Sequence, residues 1–238
     1  MLNGVVYAGF GSHCDAEPYE GWIVGVSTVS DPSASSGKVT TKWPTSAHGG
    51  SIWQSGGGLV SDGPGQIIFS TGNDNGIPGE WDPPHGPGNA PPEGKLGESV
   101  VRVEVKPAGE LDELKPTDFF SPFNSKELDE ADTDLGSSAP VALPPSFGEG
   151  TSVPRLLIQE GKSGVVYLLN RGNLGGMGQG LGGENDIVQT IGPYGNVWGT
   201  AAVWPGDGGY VYIPSISRPA IGELGGSLRA FKYGVENG

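Results

Sequence analysis

The sequence repeats one unit whose parts come in a fixed order. A polar, glycine-rich segment comes first, a strongly apolar strand follows it, and a second strand and a turn complete the unit. Three such first segments, called inner segments below, occupy residues 52–57, 135–140 and 197–202. The strands predicted after them cover 66–70 and 99–103, 155–159 and 164–169, and 209–213 and 227–231. Repetition on this scale indicates a repeat architecture whose units pack on one another.

The first and last units lack parts of this pattern. If the inner segment is counted as the first strand of a unit, residues 3–9 match the second strand and residues 21–26 match the third. No inner segment precedes these two strands. After residue 234 only four residues remain, too few for a fourth strand. Short antiparallel units with glycine turns predict an all-β fold, a β-propeller built from four-stranded antiparallel blades. We expect one domain, 1–238, with about four blades, the first and last incomplete, at approximately 1–50, 51–125, 133–190 and 195–238.

The incomplete terminal blades have a consequence for assembly. A sheet that lacks its neighbour exposes strand edges and an apolar face, and both favour association with another sheet. We therefore expect that two copies of the chain form a homodimer that closes one propeller ring.

Composition narrows the classes of partner. A formal net charge of −14 argues against nucleic acid, because lysine and arginine supply most of the affinity for phosphates. No apolar stretch approaches the roughly 20 residues that a membrane-spanning helix needs. The sequence begins on a strand, without the charged and apolar leader of an export signal. Neutral polyols, carbohydrates and cations remain as ligand classes.

Four phrases of the sequence resemble a known family. Residues 3–15, 52–58, 132–140 and 192–200 are similar to the repeats of pyrroloquinoline-quinone-like, or quinoprotein-like, β-propeller proteins of secreted bacterial origin. The resemblance implies a propeller fold and an extracellular or periplasmic location. It leaves the activity open, because this superfamily holds quinone- and calcium-dependent dehydrogenases of alcohols or sugars beside members that only bind or scaffold.

The features of the family's enzymes are not evident here. Several of them stack the quinone on a disulfide between adjacent cysteines, which the single cysteine, Cys14, cannot form. No set of Glu, Asn and Asp can be assigned by motif to the activating cation, which takes oxygen ligands. The sequence therefore favours a non-catalytic binding or scaffold module for a carbohydrate or another polar ligand. Calcium remains a candidate ligand and pyrroloquinoline quinone is disfavoured. The alternatives are a quinone- and calcium-dependent dehydrogenase and a propeller-type carbohydrate-active enzyme.

Two tryptophans are candidates for ligand binding. Trp53 and Trp198 occupy matching places in two inner segments. A tryptophan that faces the propeller axis offers a flat surface on which a sugar ring or a flat cofactor can stack. The alternative is that both side chains pack between blades, where large aromatic residues contribute much of the burial energy.

Two groups of polar residues are further candidates. Asp132 and Asp134 precede an inner segment, so they can project toward the propeller axis and hold a calcium ion or a sugar. The alternative is a solvated acidic turn. A soft-metal site could be formed by His13, Cys14, Asp15 and His48. The alternative there is a turn in which the aspartate caps backbone amides, since the histidines lack zinc-type spacing.

Overall fold

The computed structural model describes residues 1–13, 16, 18–28, 37–46, 48–74, 91, 92, 94–107, 111–216 and 226–235. Its strands form four antiparallel sheets, which we number in chain order. Sheet 1 contains β1 (Val5–Phe10), β2 (Trp22–Ser27) and β3 (Val39–Pro44), and sheet 2 contains β4 (Val60–Ser61), β5 (Gln66–Ser70), β6 (Val100–Lys106) and β7 (Glu113–Phe120). Sheet 3 contains β8 (Val141–Ala142), β9 (Leu156–Glu160), β10 (Val166–Asn170) and β11 (Gln189–Ile191), and sheet 4 contains β12 (Ala202–Trp204), β13 (Tyr210–Ile216) and β14 (Gly226–Lys232).

Within each sheet, every strand pairs with the strand that follows it in the chain. The prediction of an all-β fold made from antiparallel sheets is confirmed. Two four-stranded sheets lie between two three-stranded sheets in the order of the chain. A short α-helix, α1 (Ser125–Glu130), follows β7. In the part of the chain that the structure describes, no helix is long and apolar enough to cross a membrane.

The strands predicted from apolar runs are present. No range was predicted for the last strands of sheets 1, 2 and 3, which are β3, β7 and β11, or for the short first strands of sheets 2, 3 and 4, which are β4, β8 and β12. β4 and β8 contain two residues each, and each pairs with the middle of the apolar strand that follows it. Two residues carry too little sequence signal to show the alternation on which strand prediction depends. These strands therefore become visible only through their backbone pairing.

The apolar core lies between consecutive sheets. On β5, Ile67 and Phe69 face sheet 1, where they pack with Ile23. Ile68, between them, faces sheet 3 and packs with Leu157. Successive side chains of a strand point to opposite faces, so a strand buried on both faces needs a continuous apolar run. This requirement explains why β5 is the most apolar segment of its unit. A third cluster, containing residues 158, 211 and 213, joins sheets 3 and 4.

Each contact between consecutive sheets includes a pair of aromatic rings. Trp43 and Phe69 join sheets 1 and 2, with ring centroids 6.1 Å apart. Phe120 and Tyr167 join sheets 2 and 3 at 5.2 Å. A tyrosine at position 194, just after sheet 3, meets a phenylalanine at position 231 on sheet 4 at 5.4 Å. Tilted and edge-to-face pairs at these distances add to the free energy gained by burial.

The three inner segments meet although they lie far apart in sequence. The hydroxyl of Ser55 donates to the carbonyl of Ser137 at 2.6 Å, and the hydroxyl of Ser137 donates to the carbonyl of Val197 at 2.7 Å. A Cβ atom on Gly57 would overlap Ala139 and would lie 2.6 Å from Thr200 Oγ1. Small residues in the inner segments thus allow three backbones to approach one another.

Replacing Ser137 with alanine tests this chain of hydrogen bonds. The substitution removes a hydroxyl donor that is buried between two inner segments. The carbonyl of Val197 then loses the hydrogen bond that it accepts from Ser137. We expect the free energy of unfolding to fall by about 1–2 kcal/mol, measured by urea denaturation. Ser61→Ala, at an exposed position of β4, is the control and should change it by less than about 0.5 kcal/mol. Equal effects of the two substitutions would contradict the prediction.

A group of buried charges also joins sheets 2 and 3. Asp62 accepts a hydrogen bond from Arg171 Nη1 at 3.2 Å, contacts Arg155 Nη2, and lies 3.5 Å from Arg102 Nη1. Arg102 Nη2 also bonds Asp118 at 2.7 Å. Burial lowers the pKa of Arg171, which Asp62 partly opposes. Removing one partner would leave buried charge uncompensated, which is strongly destabilising.

Candidate functional site: the rim at Gly72

The backbone brings the start of an inner segment to the end of a strand, either of the preceding sheet or of its own sheet. The amide of Ile52 donates to the carbonyl of Phe10 at 3.2 Å, and the amide of Gly72 donates to the carbonyl of Ser51 at 2.9 Å. In the next unit, the amide of Lys162 donates to the carbonyl of Asp134 at 3.0 Å. These bonds gather side chains from sheets 1, 2 and 3 at one edge of the molecule.

Trp53 and Asp134, which were predicted as candidates separately, both lie close to Gly72. A Cβ atom on Gly72 would lie 2.8 Å from both Cδ1 and Nε1 of Trp53 and would overlap Asp134 Oδ1. The other side of the indole lies over Gly11, where a Cβ atom would be 3.0 Å from Cε3 and Cζ3. Two glycines therefore make the space in which the indole lies beside the carboxylate.

The indole of Trp53 is part of an aromatic pair. Tyr19 meets it edge-on, with the ring centroids 6.5 Å apart and the planes at 61°. Both residues are partly exposed. The pair therefore offers solvent an apolar surface with a polar edge, which is the kind of surface on which a sugar ring can stack.

Lys162 connects the two aspartates of the predicted acidic turn. Its ammonium nitrogen lies 2.9 Å from Asp132 Oδ1 and also forms an ion pair with Asp134 Oδ2. Burial alone would lower the pKa of Lys162, but hydrogen bonds and charge from both aspartates raise it above its ordinary value. Asp134 is buried, whereas the side chain of Asp132 is 73% exposed. We call Tyr19, Trp53, Asp132, Asp134 and Lys162 the rim site.

Further acidic residues lie directly beneath the rim site. Glu98 is fully buried, and its Oε2 accepts a hydrogen bond from the amide of Leu135 at 2.8 Å. The side-chain amide of Asn73 is oriented so that its nitrogen donates to Glu98 Oε1 at 2.9 Å and to Asp134 Oδ1, because the opposite orientation would place an amide oxygen against two carboxylates. Burial raises the pKa of Glu98 well above its usual value.

Asp74 and Asp129 extend this acidic group toward sheet 1. The amide of Asp74 donates to Asp129 Oδ1 at 2.8 Å, and the hydroxyl of Ser46 donates to Asp74 Oδ1. Burial, with a contribution from Asp129, raises the pKa of Asp74 to about 6, and burial also raises the pKa of Asp129. These carboxyl groups therefore keep their protons at a higher pH than solvated ones, which limits the negative charge beneath the rim.

Backbone strain is concentrated in the same region. Glu98 and Asp132 have φ values of 45° and 49°, and Gln54 and Ser55, next to Trp53, have 47° and 41°. Positive φ is uncommon outside glycine and costs of order 1–3 kcal/mol, so the surrounding contacts must hold these residues in place. An observed concentration of such residues supports a functional role for the rim.

The structure does not bring the other candidates to the rim site. Trp198 is 49% exposed and lies on sheet 4's side of the molecule, beside Pro214 and Leu228. His13 is exposed, and His48 is exposed near Asp74. The remaining members of the predicted soft-metal site, Cys14 and Asp15, lie outside the described residues.

The arrangement of donors at the rim does not fit a calcium or quinone-activating site. No group of three or more His, Cys, Asp or Glu side chains among the described residues is placed to hold a metal ion. The oxygens of Asp134 are occupied by Lys162 and by the amide of Asn73, and one oxygen of Glu98 is occupied by the amide of Leu135. The rim instead offers an ion pair and an aromatic surface, which suit a neutral ligand with hydroxyl groups.

Three members of this region were not identified from the sequence. Lys162 lies in the turn after β9, Tyr19 precedes β2, and Glu98 precedes β6. Each is a single polar or aromatic residue in a loop, without a motif around it. A useful signal was available for Lys162, because it occupies in its unit the place that Gly72 has in the preceding one.

Comparison of the chain with protein-family models, with curated proteins and with solved structures gave no match.

Proposed function

We propose that the chain is a non-catalytic binding module and that the rim site binds a neutral polyhydroxylated ligand, a carbohydrate. The observation that carries this proposal is the placement of Trp53 and Asp134 around Gly72, where atoms of both side chains lie within 3 Å of the position that a Cβ atom would take. In this arrangement the ring face of the ligand stacks on Trp53 and Tyr19. Its hydroxyl groups donate to Asp132 and accept from Lys162, whose charges are already paired and need little further compensation.

The charge of the chain supports a neutral ligand. With 27 acidic and 13 basic residues, the chain repels anionic polymers. A neutral sugar pays no such electrostatic penalty, and its hydroxyl groups can bond to both partners of an exposed ion pair. Aromatic side chains with a polar edge, such as Trp53 and Tyr19, combine an apolar surface with hydrogen bonding.

We further propose that the four sheets are consecutive blades of a β-propeller arc of the quinoprotein-like kind, located outside the cytoplasm. The sheets are antiparallel meanders that pack face to face in chain order. The inner segments meet at Gly57, Ala139 and Thr200, as the innermost parts of neighbouring blades would. A propeller places such a rim at one end of its central channel, where loops are free to take a ligand.

Titration with neutral saccharides tests the binding proposal. We expect isothermal calorimetry with a panel of neutral disaccharides and oligosaccharides to show binding that Trp53→Ala weakens about tenfold, equivalent to about 1.4 kcal/mol. The loss reflects the stacking surface that the indole supplies.

Trp198→Ala is the matched control for this titration. It removes an exposed indole at the corresponding place of another inner segment, away from the rim site. We expect it to bind as the unsubstituted protein does. Absence of binding to every neutral saccharide, or equal losses in the two variants, would refute the proposal.

A further inference from the structure

Sheets 1 and 4 each expose one apolar face. On sheet 1 this face contains Val6, Ala8, Phe10, Trp22, Val24, Val26, Val39, Lys42 and Pro44, as the strand register shows. Val6, Phe10, Trp22 and Val39 are 36–50% exposed, and Val24 and Val26 are half-buried. The opposite face of sheet 1 packs on sheet 2 through Ile23. We call the exposed face the sheet 1 open face.

Sheet 4 has the same property on its outer side. The strand register places Ala202, Trp204, Tyr210, Tyr212, Pro214, Ile216, Leu228, Ala230 and Lys232 on one face. Leu228 is 69% exposed, Trp204 55% and Ile216 49%. The opposite face packs on sheet 3 through Val211 and Ile213. We call the exposed face the sheet 4 open face.

The two open faces lack acidic residues in a strongly acidic chain. The sequence contains 27 acidic residues, yet none of the described residues of either open face is acidic, and each face has a single lysine, Lys42 or Lys232. A solvated surface of this protein would be expected to carry acidic side chains. Contiguous apolar faces of this kind mark a surface that another protein covers.

We propose that a second copy of this chain covers the open faces, with sheet 4 of each copy packing on sheet 1 of the other. The chain itself shows that its sheets pack in this way, because each internal contact joins two apolar sheet faces through an aromatic pair. The open faces supply aromatic residues for the same kind of contact: Phe10 and Trp22 on sheet 1, and Trp204 and Tyr210 on sheet 4.

The area of the open faces favours a closed dimer over a single contact. Three strands about 4.8 Å apart and six residues long, at about 3.3 Å per residue, cover roughly 300 Å². A two-fold dimer contains two such contacts and buries four faces, roughly 1,200 Å², which reaches the range of specific interfaces. A single contact would bury half of that area, which is the size of crystal packing. Closure of both contacts is therefore what makes the assembly stable.

Light scattering on the eluate of a size-exclusion column tests the proposal. We expect the protein to have twice the chain mass of 24.4 kDa. Leu228→Glu places a charge on the sheet 4 open face and Val6→Lys places one on the sheet 1 open face, so each variant alone should have the mass of a single chain. Both positions are exposed in the single chain, so circular dichroism should show unchanged strand content.

An equimolar mixture of the two variants identifies the pairing of the faces. In the mixed dimer one contact has no substitution, and the other brings the introduced glutamate and lysine to the same interface. We therefore expect the mixture to regain the dimer mass. Leu181→Glu, at a leucine that is 99% exposed and lies on neither face, is the control and should remain dimeric.

Three results would overturn the proposal. A single-chain mass for the unsubstituted protein would mean that no second copy covers the faces. A mass that grows continuously with concentration would mean that the contacts form open chains instead of closing. Dimers that persist in both single variants would mean that the copies associate through another surface.

Discussion

Replacing Glu160 with glutamine is expected to stabilise the protein at alkaline pH. The carboxyl group of Glu160 is fully buried between sheets 3 and 4, and no hydrogen bond of good geometry from a described residue reaches either oxygen. Burial raises its pKa to about 8, which the amide of Ala201 opposes only in part. The folded protein must therefore hold this group in its neutral form or pay the cost of a buried charge.

The sign of the pH dependence follows from the raised pKa of Glu160. Below its ordinary value of 4.5 the group is protonated in both states and has no effect. As the pH rises from 4.5 to about 8, the unfolded chain loses the proton and the folded protein retains it, so the free energy of unfolding falls. The loss is complete above about pH 8 and is on the order of 5 kcal/mol, at 1.36 kcal/mol per pKa unit.

Urea denaturation between about pH 5 and about pH 9 measures this dependence. In Glu160→Gln we expect most of the alkaline loss of stability to disappear, because the neutral side chain has nothing to ionise. The remaining slope reflects the raised pKa values of Asp74, Glu98 and Asp129. Glu149→Gln, at an exposed position, is the control and should leave the pH profile unchanged. Identical profiles for both variants and the unsubstituted protein would rule out the role of Glu160.

Replacing Gly136 with alanine should have an effect of similar size at all pH values. A Cβ atom at this position would overlap the carbonyl carbon of Thr71 and would lie 2.6 Å from the Thr71 oxygen and the Gly72 nitrogen. These are backbone atoms at the end of β5, so no side-chain rotation can relieve the overlap. We expect the free energy of unfolding to fall by about 3 kcal/mol, at the upper end of the cost of overpacking.

Gly58→Ala provides the matched control for this substitution. Gly58 follows the inner segment of sheet 2, and a Cβ atom there would meet no atom within 4 Å. Since neither glycine has a positive φ, the two substitutions differ only in the contact that the new methyl group makes. A thermal denaturation midpoint lowered to the same extent in both variants would contradict the prediction.

Gly136→Ala also tests the rim site separately from the core. The displaced contact includes the amide of Gly72, close to which Trp53 and Asp134 both lie. We therefore expect the folded fraction of the variant to bind neutral saccharides more weakly, even at a temperature at which most of the protein remains folded.

The strands of this protein were predictable because their signal is local. β5, β9 and β13 are the apolar runs of their units, and alternating residues of each contact the two neighbouring sheets or one sheet and solvent. Because the inner segments recur, the sequence also shows that they occupy equivalent places in their units. The propeller closure that this repetition suggests depends on the angles between sheets and remains a proposal.

The candidate site was predictable only in part. Trp53, Asp132 and Asp134 were identified from their places in or beside inner segments, and in the structure Trp53 and Asp134 both lie close to Gly72. Trp198 has an equivalent place in its unit but remains exposed on the outer side of sheet 4. The surroundings of the two tryptophans differ because sheet 2 packs on sheets 1 and 3, whereas sheet 4 packs on sheet 3 alone among the described sheets.

The sequence by itself determined the all-β class, the repeat unit and the positions of the main strands, because backbone propensity and apolar alternation act between near neighbours in the chain. Only the tertiary structure decided that Lys162 pairs with Asp132 and Asp134, that Gly72 lies beneath Trp53, and that Glu160 is buried. These contacts join residues of different units. Their geometry depends on how whole sheets pack on one another, which no local pattern specifies.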